Sequence, residues 1–142
     1  MPTVLLAGLV AAGLPATPAH AGGDEARLLA EVNAARHAAR LPAYAPRPDL
    51  AAVARQHAAQ MAASTSLYHD SRVRTRVPSW SLLGDNVGEG ASPRKITRAF
   101  LASPSHRANI LDRGFTEVGI GAVRDADGQL WVTEIFRRPA RA

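Results

Sequence analysis

The stretch Ser103-Pro104-Ser105-His106-Arg107-Ala108-Asn109-Ile110-Leu111 is followed by Gly114 and by the run Val118-Gly119-Ile120-Gly121-Ala122, and the chain changes period between them. Ser103 suits a helix N-cap, and Pro104 suits the first helical position, where the missing proline N–H costs nothing. Gly114 lies just past Leu111 and supplies a stop. The spacing predicts a short helix with His106 on its opening turn. There the helix dipole favours the neutral imidazole, the form that accepts a proton or binds a metal. Beyond Gly114, Val118, Ile120 and Ala122 alternate with glycines, which is strand periodicity. Asp125-Ala126-Asp127-Gly128 is a turn signal and residues 130–135 alternate again, so a terminal antiparallel hairpin is expected.

Upstream the period is helical. Leu28, Val32, Ala35 and Ala39 share one face of a helix expected over Asp24 to Arg40. Leu41 to Arg47 reads as a loop with two prolines. Pro48 opens a second helix, on which Leu50, Val53, Ala54, His57 and Met61 form a stripe. His57 on that apolar face reads as a satisfied core histidine. Residues 67–83 are irregular, broken by Pro78, and carry His69. Gly84 to Gly90 is a glycine-punctuated extended segment. Ser92-Pro93 repeats the cap-plus-proline start, and Ile96, Ala99 and Phe100 give that helix its buried face. Helices first and a hairpin last make an α+β domain with helices packed on an antiparallel sheet.

The first 21 residues carry an apolar run, Val4 to Ala12, two prolines and an Ala19-His20-Ala21 ending. That run is too short to span a bilayer, and Ala-x-Ala is what signal peptidase reads. Residues 1–21 are therefore expected to be a signal peptide cleaved near Ala21, leaving a secreted domain over 24–138 with no transmembrane span. The chain has no cysteine, so neither a disulfide framework nor a thiol nucleophile is available. The net charge is +5, and Lys95 is the only lysine among 17 basic residues. Such a surface fits an anionic cell-envelope polymer or lipid head groups. If extended, Arg72, Arg74 and Arg76 would line one face as a basic stripe. Aromatic residues are few and no nucleic-acid-binding motif is present, so a nucleic-acid partner is not expected.

Six segments in register carry a resemblance. They are Leu28 to Arg36, Ala54 to Met61, Leu67-Tyr68-His69-Asp70, Gly84-Asp85-Asn86-Val87-Gly88, Ser103 to Leu111 and Phe115 to Gly121. Together they resemble the CAP superfamily, or SCP-like extracellular domain, in its short, cysteine-free bacterial branch. The resemblance implies a three-layer α-β-α sandwich with a small antiparallel sheet and a cleft above it. In many relatives the cleft holds two histidines and two acidic residues. His69 and His106 match the histidines, and Asp85 stands where the family usually has glutamate. The second acid falls near Ser103. His69, Asp85 and His106 are thus the expected ligands of a divalent metal such as zinc, and two histidines with one carboxylate fill three corners of a tetrahedral site. Asp reaches about one carbon–carbon bond less far than Glu. Glu89 shares a face with Asp85 on a straight strand, but four residues at ~3.3 Å each separate them by ~13 Å. Glu134 is a further carboxylate that could join the cleft.

Three functions compete on these residues. An extracellular ligand-binding module for a lipid or cell-envelope ligand is favoured. A purely structural polar cluster comes after it. A metal-assisted or histidine-dependent hydrolase is the third reading, because no Gly-x-Ser-x-Gly elbow is present and Ser103 and Ser105 read as capping residues.

Overall fold

The computed structural model describes residues 19–142, with side chains from Gly22 onward. The expected signal peptide therefore falls almost wholly outside the described residues. The elements run α1 (Ala19–Ala38), β1 (Ala45–Pro46), α2 (Pro48–Ser64), α3 (Val73–Arg76), β2 (Trp80–Gly90), α4 (Pro93–Ala102), α5 (Pro104–Ile110), β3 (Glu117–Arg124) and β4 (Leu130–Pro139). The strands form one sheet in the order β1-β3-β4-β2. Pairing is antiparallel for β3–β4, as the hairpin pattern predicts, and also for β2–β4. The short β1 adds a parallel pair against Glu117 and Val118, so the sheet is mixed rather than purely antiparallel. A two-residue strand between prolines carries no period to read.

Each face of the sheet is buried under helices. Leu28 and Val32 of α1, Ile96 and Phe100 of α4, and Ile110 of α5 pack on Val118, Ile120, Val132 and Phe136. On the other face, Leu50 and Ala54 of α2 meet Ile135, and Met61 meets Val87 and Trp131. The glycines of β3 explain how closely α2 approaches. A Cβ at Gly119 would lie 2.3 Å from Ala51 N, and one at Gly121 would lie 2.2 Å from Arg55 N. Side chains alternate on a strand, so Val118, Ile120 and Ala122 fill one face while bare backbone takes helix α2 on the other.

One buried cation closes the layer above the sheet. Arg36 of α1 donates to the carbonyls of Pro42, Ile110 and Asp112 at 2.7–2.9 Å and lies over the Tyr44 ring at 3.6 Å. It thereby satisfies the last carbonyl of α5, a group the helix itself cannot pair.

Three local expectations give way. The helix expected over 24–40 begins at Ala19 and ends at Ala38. Residues 73–76 form a turn of helix, so Arg72, Arg74 and Arg76 fan out instead of forming a stripe. Gly114 does not stop α5, which ends at Ile110 with Leu111 as its cap. The Arg36 bonds to Ile110 and Asp112 hold that end instead.

Candidate functional site

The site is built around β2, an edge strand. Residues along it point alternately to the two faces. Asp85 pairs with Ile135 and Val87 with Thr133 on the α2 side, while Asn86 pairs with Glu134 and Gly88 packs under Phe100 on the α4–α5 side. The chain leaves α2 through Thr65, which adopts a left-handed conformation (φ 49°) and turns the segment back toward β2. That turn brings His69 onto Asp85, with Nδ1 2.7 Å from Oδ2. A carboxylate can only accept, so His69 Nδ1 carries the proton. The pair is open to solvent: the His69 side chain is 61% exposed and that of Asp85 20%.

His106 approaches the same edge from the opposite face. Its ring stacks on Phe100 with centroids 4.9 Å apart and planes 15° from parallel. Its Nδ1 is 2.7 Å from Ser103 Oγ. Ser103 has an N-cap backbone conformation, but its hydroxyl makes no cap bond and holds this histidine instead. Burial pushes the His106 pKa down and the His69 charge pushes the same way, against the opposing pull of Asp85 and of the Val87 backbone. Neutral imidazole is therefore favoured, but desolvation and a second histidine are the causes.

Two asparagines bind these parts together. Asn109 Nδ2 donates to Asp85 O (3.1 Å) and to Asn86 Oδ1 (2.9 Å). Asn86 Nδ2 donates to His106 O and to Glu134 Oε2, both at 3.2 Å. Tyr44 OH donates to Asn109 O at 2.7 Å, which ties α5 to the loop before β1. Glu134 lies beneath this chain, fully buried, and burial raises its pKa to about 7 against a partial offset from Asn86. Its Oε1 has no hydrogen-bond partner among the described residues.

His57 sits behind the open pair. It is buried on α2 as its stripe predicts, with Nδ1 3.0 Å from Thr133 Oγ1 and its ring edge-on to Tyr68. Its Nε2 is buried without a partner among the described residues, so it is only half satisfied there. Burial lowers its pKa, opposed by the nearby charges of Asp70 and Asp85. Asp70 also accepts from Arg72 N–H and from Arg76 Nη1 at 2.6 Å, while Arg76 bonds Gln56 as well. This clasp fixes the segment that carries His69.

The donors expected for a metal are neighbours rather than a cage. Among the described residues, no group of three or more His, Asp or Glu side chains is placed to hold a metal ion. The Nδ1 bonds of His69 to Asp85 and of His106 to Ser103 leave each imidazole its Nε2, but the two histidines reach the edge from opposite faces. In this arrangement the set does not fit a divalent ion. Glu134 cannot supply the missing carboxylate, because it lies on the face opposite Asp85 and is tied to Asn86. Glu89 shares the Asp85 face but is exposed four residues further along. Asn86 and Asn109 were readable only as residues of an extended segment and of a helix. The register that joins them comes from β2–β4 pairing, which no local pattern carries.

A three-layer sandwich with a histidine–aspartate pair at one sheet edge defines an SCP-like domain. The chain matches the model of the cysteine-rich secretory protein (CAP) family over residues 29–136, and it belongs to that family. It does so without a single cysteine. It is 32% identical over 59 residues to the uncharacterized protein YkwD of Bacillus subtilis (strain 168), a stretch that is 41% of this chain and 22% of that one. The match therefore spans less than a quarter of the length of that relative. Its fold is similar to an SCP-domain extracellular protein from Bacillus anthracis str. Ames (TM-score 0.76, 24% identity, 89% of this chain and 45% of that one). It is also similar to an outer surface protein of Borrelia burgdorferi (TM-score 0.75, 18% identity, 82% of this chain and 93% of that one). No described helix is long and apolar enough to cross a membrane.

Proposed function

We propose that this chain is an extracellular binding module that engages an anionic lipid surface or a chemically similar cell-envelope polymer at the β2 edge. One observation carries the reading. Leu67 and Tyr68, 47% and 40% exposed, stand directly before the open His69–Asp85 pair and just ahead of exposed Arg72 and Arg74. Apolar side chains beside arginines on one short segment suit an interface where acyl chains meet anionic head groups. The asparagine network beneath holds the edge in one shape, which lowers the ordering cost of binding. The reading requires no metal.

Sedimentation with vesicles tests it. Full-length chain should pellet with phosphatidylglycerol-containing vesicles but not with phosphatidylcholine alone, and should be released by salt of about 0.5 M, where the screening length is well under 10 Å. A Leu67→Ser variant should weaken pelleting while keeping its melting temperature, since that side chain is 47% exposed. Equal pelleting on both vesicle types, or a variant that pellets unchanged, overturns the lipid reading. Binding to isolated anionic wall polymer alone would assign the edge to the polymer.

A second reading rests on His69 itself. With Nδ1 on Asp85, its Nε2 is the ring nitrogen left to act as a base. It would take a proton from water as the water oxygen attacks an acyl carbon, then return that proton to the leaving group. Ester turnover lost in His69→Ala and retained in His37→Ala would support it; turnover unaffected by His69→Ala would end it.

A further inference from the structure

At the sheet edge opposite the histidines, β1 covers only Glu117 and Val118 of β3. The carbonyls of Thr116 and Val118 accept from Ala45 N–H and Arg47 N–H at 3.0 and 2.9 Å, and Ala122 N–H is held by Glu25 Oε1 at 3.3 Å. Even-numbered residues of β3 therefore aim their backbone groups away from β4. The parallel ladder stops at Arg47, because the Arg47 carbonyl accepts from Ala51 N–H at 3.0 Å as the first turn of α2. Ile120 comes next in the outward series. Its N–H and C=O have no backbone partner among the described residues, although Ile120 as a whole is buried. Backbone groups in such places are almost always paired.

These two groups face a cavity of about 430 Å³. Val118 to Ile120 form its floor, Ala26 and Leu29 of α1 one wall, and Ala51 of α2 the other. Arg47 and Arg55 stand at its mouth with half-exposed side chains. Arg55 is held by Glu25 in a two-point pair at 2.6–2.7 Å, whereas Arg47 makes a longer contact, 3.4 Å to Glu117. The slot thus presents an apolar trough, one donor and one acceptor at strand spacing, and a guanidinium with donors to spare. An acyl chain would fill the trough but leave Ile120 unpaired. An extended peptide satisfies both.

We propose that this slot docks a short extended peptide segment bearing an acidic side chain, which adds to the β3 edge in line with β1. Its backbone pairs with Ile120 N–H and C=O, alternate side chains enter the trough, and its carboxylate meets Arg47. The site is separate from the histidine edge and does not depend on the function assigned there.

The probe is a panel of acetylated tetrapeptide amides of the form X-Thr-X-Glu, with X as Val, Ile, Leu or Phe, titrated into 15N-labelled full-length chain. At least one member should give saturable shifts centred on the Ile120 amide with Kd below about 1 mM, the weak end of useful affinity. It should also slow Ile120 amide exchange by about tenfold or more. The same peptide with its backbone N–H groups methylated should not bind. Arg47→Glu should weaken binding by about fivefold or more, as loss of a rim charge contact does. Ala26→Trp, at an exposed position on the slot wall, should abolish it without changing the melting temperature, and His69→Ala should leave it unchanged. No Ile120 shift across the panel at about 10 mM overturns the proposal, as does octanoate shifting the same residues more strongly than any peptide. A methylated peptide that binds equally well also overturns it, because pairing at the β3 edge is the core of the idea.

Discussion

Asn86 and Glu134 face each other across β2 and β4, and among the described residues a single Asn86 Nδ2–H bond at 3.2 Å is the sole hydrogen bond to the Glu134 carboxyl, whose other oxygen is unpartnered. A fully buried carboxyl with one weak donor is held better as the neutral acid than as the ion.

Stability should therefore fall as pH rises through the Glu134 transition. The folded value, about 7, lies above the ordinary value of 4.5 that serves for the unfolded chain. Below about 4.5 both states are protonated and the contribution is fully present; it is lost as pH climbs from there to 7. The span corresponds to roughly 3 kcal/mol, on the order of 1.4 per pKa unit. Glu134→Gln keeps the shape and the Asn86 bond without the ionisation. The difference in unfolding free energy between the two chains should thus swing toward the variant between pH 5 and 8. His57 and His106 move oppositely, since their lowered values cost stability as pH falls below 6.5. Both are common to the two chains and cancel in the difference. A difference flat in pH would show that the carboxyl is solvated.

Gly119→Ala should be among the most damaging single substitutions in the chain. Its Cβ would sit 2.2 Å from Leu50 Cβ and 2.3 Å from Ala51 N, and a helix backbone cannot yield as a side-chain end can. Helix α2 would have to lift off β3, at a cost expected to exceed about 3 kcal/mol, at or above the upper range for overpacking. Gly128→Ala, strained only by its φ of 80°, should cost about 1 kcal/mol. Urea unfolding of the two variants checks the contrast; equal costs would mean that α2 adapts freely.

Zinc should leave the melting temperature within about 1 °C of the metal-free value, because His69, Asp85 and His106 are not grouped to hold one ion among the described residues. A rise of several degrees, lost in a His69→Ala/His106→Ala double variant, would show instead that the edge rearranges around the ion. The histidines would then be ligands, as the family resemblance implies.

How much of this was legible depended on the range of the interaction. Period and capping placed α2, α4, α5 and the hairpin, since each depends on residues within a turn or two of one another. Family motifs brought His69, Asp85 and His106 to one edge, which periodicity alone does not do. The pattern did not reveal that Asp85 and Glu134 lie on opposite faces, because that follows from β2–β4 register. Nor did it show that the Ser103 hydroxyl turns from capping to His106, a choice between two partners equally near in sequence. The break in the β1 ladder depends on where the Arg47 carbonyl points, and no residue type announces that.

The link between His57 and Thr133 should prove strongly non-additive. His57 Nδ1 meets Thr133 Oγ1 at 3.0 Å in a buried setting, and Nε2 already lacks a partner among the described residues. Thr133→Val keeps the volume but leaves both ring nitrogens unpaired, which should cost about 1–3 kcal/mol. Thr133→Ser keeps the hydroxyl and loses one methyl, so about 1 kcal/mol is expected. His57→Leu alone strands the Thr133 hydroxyl and should cost a similar 1–3 kcal/mol or so. The His57→Leu/Thr133→Val chain removes both polar partners together, so its cost should fall clearly below the sum of the single changes. Denaturant unfolding of the four chains closes the cycle. Simple additivity would mean that water reaches His57 past Tyr68, and that the histidine belongs to the open edge rather than to the core.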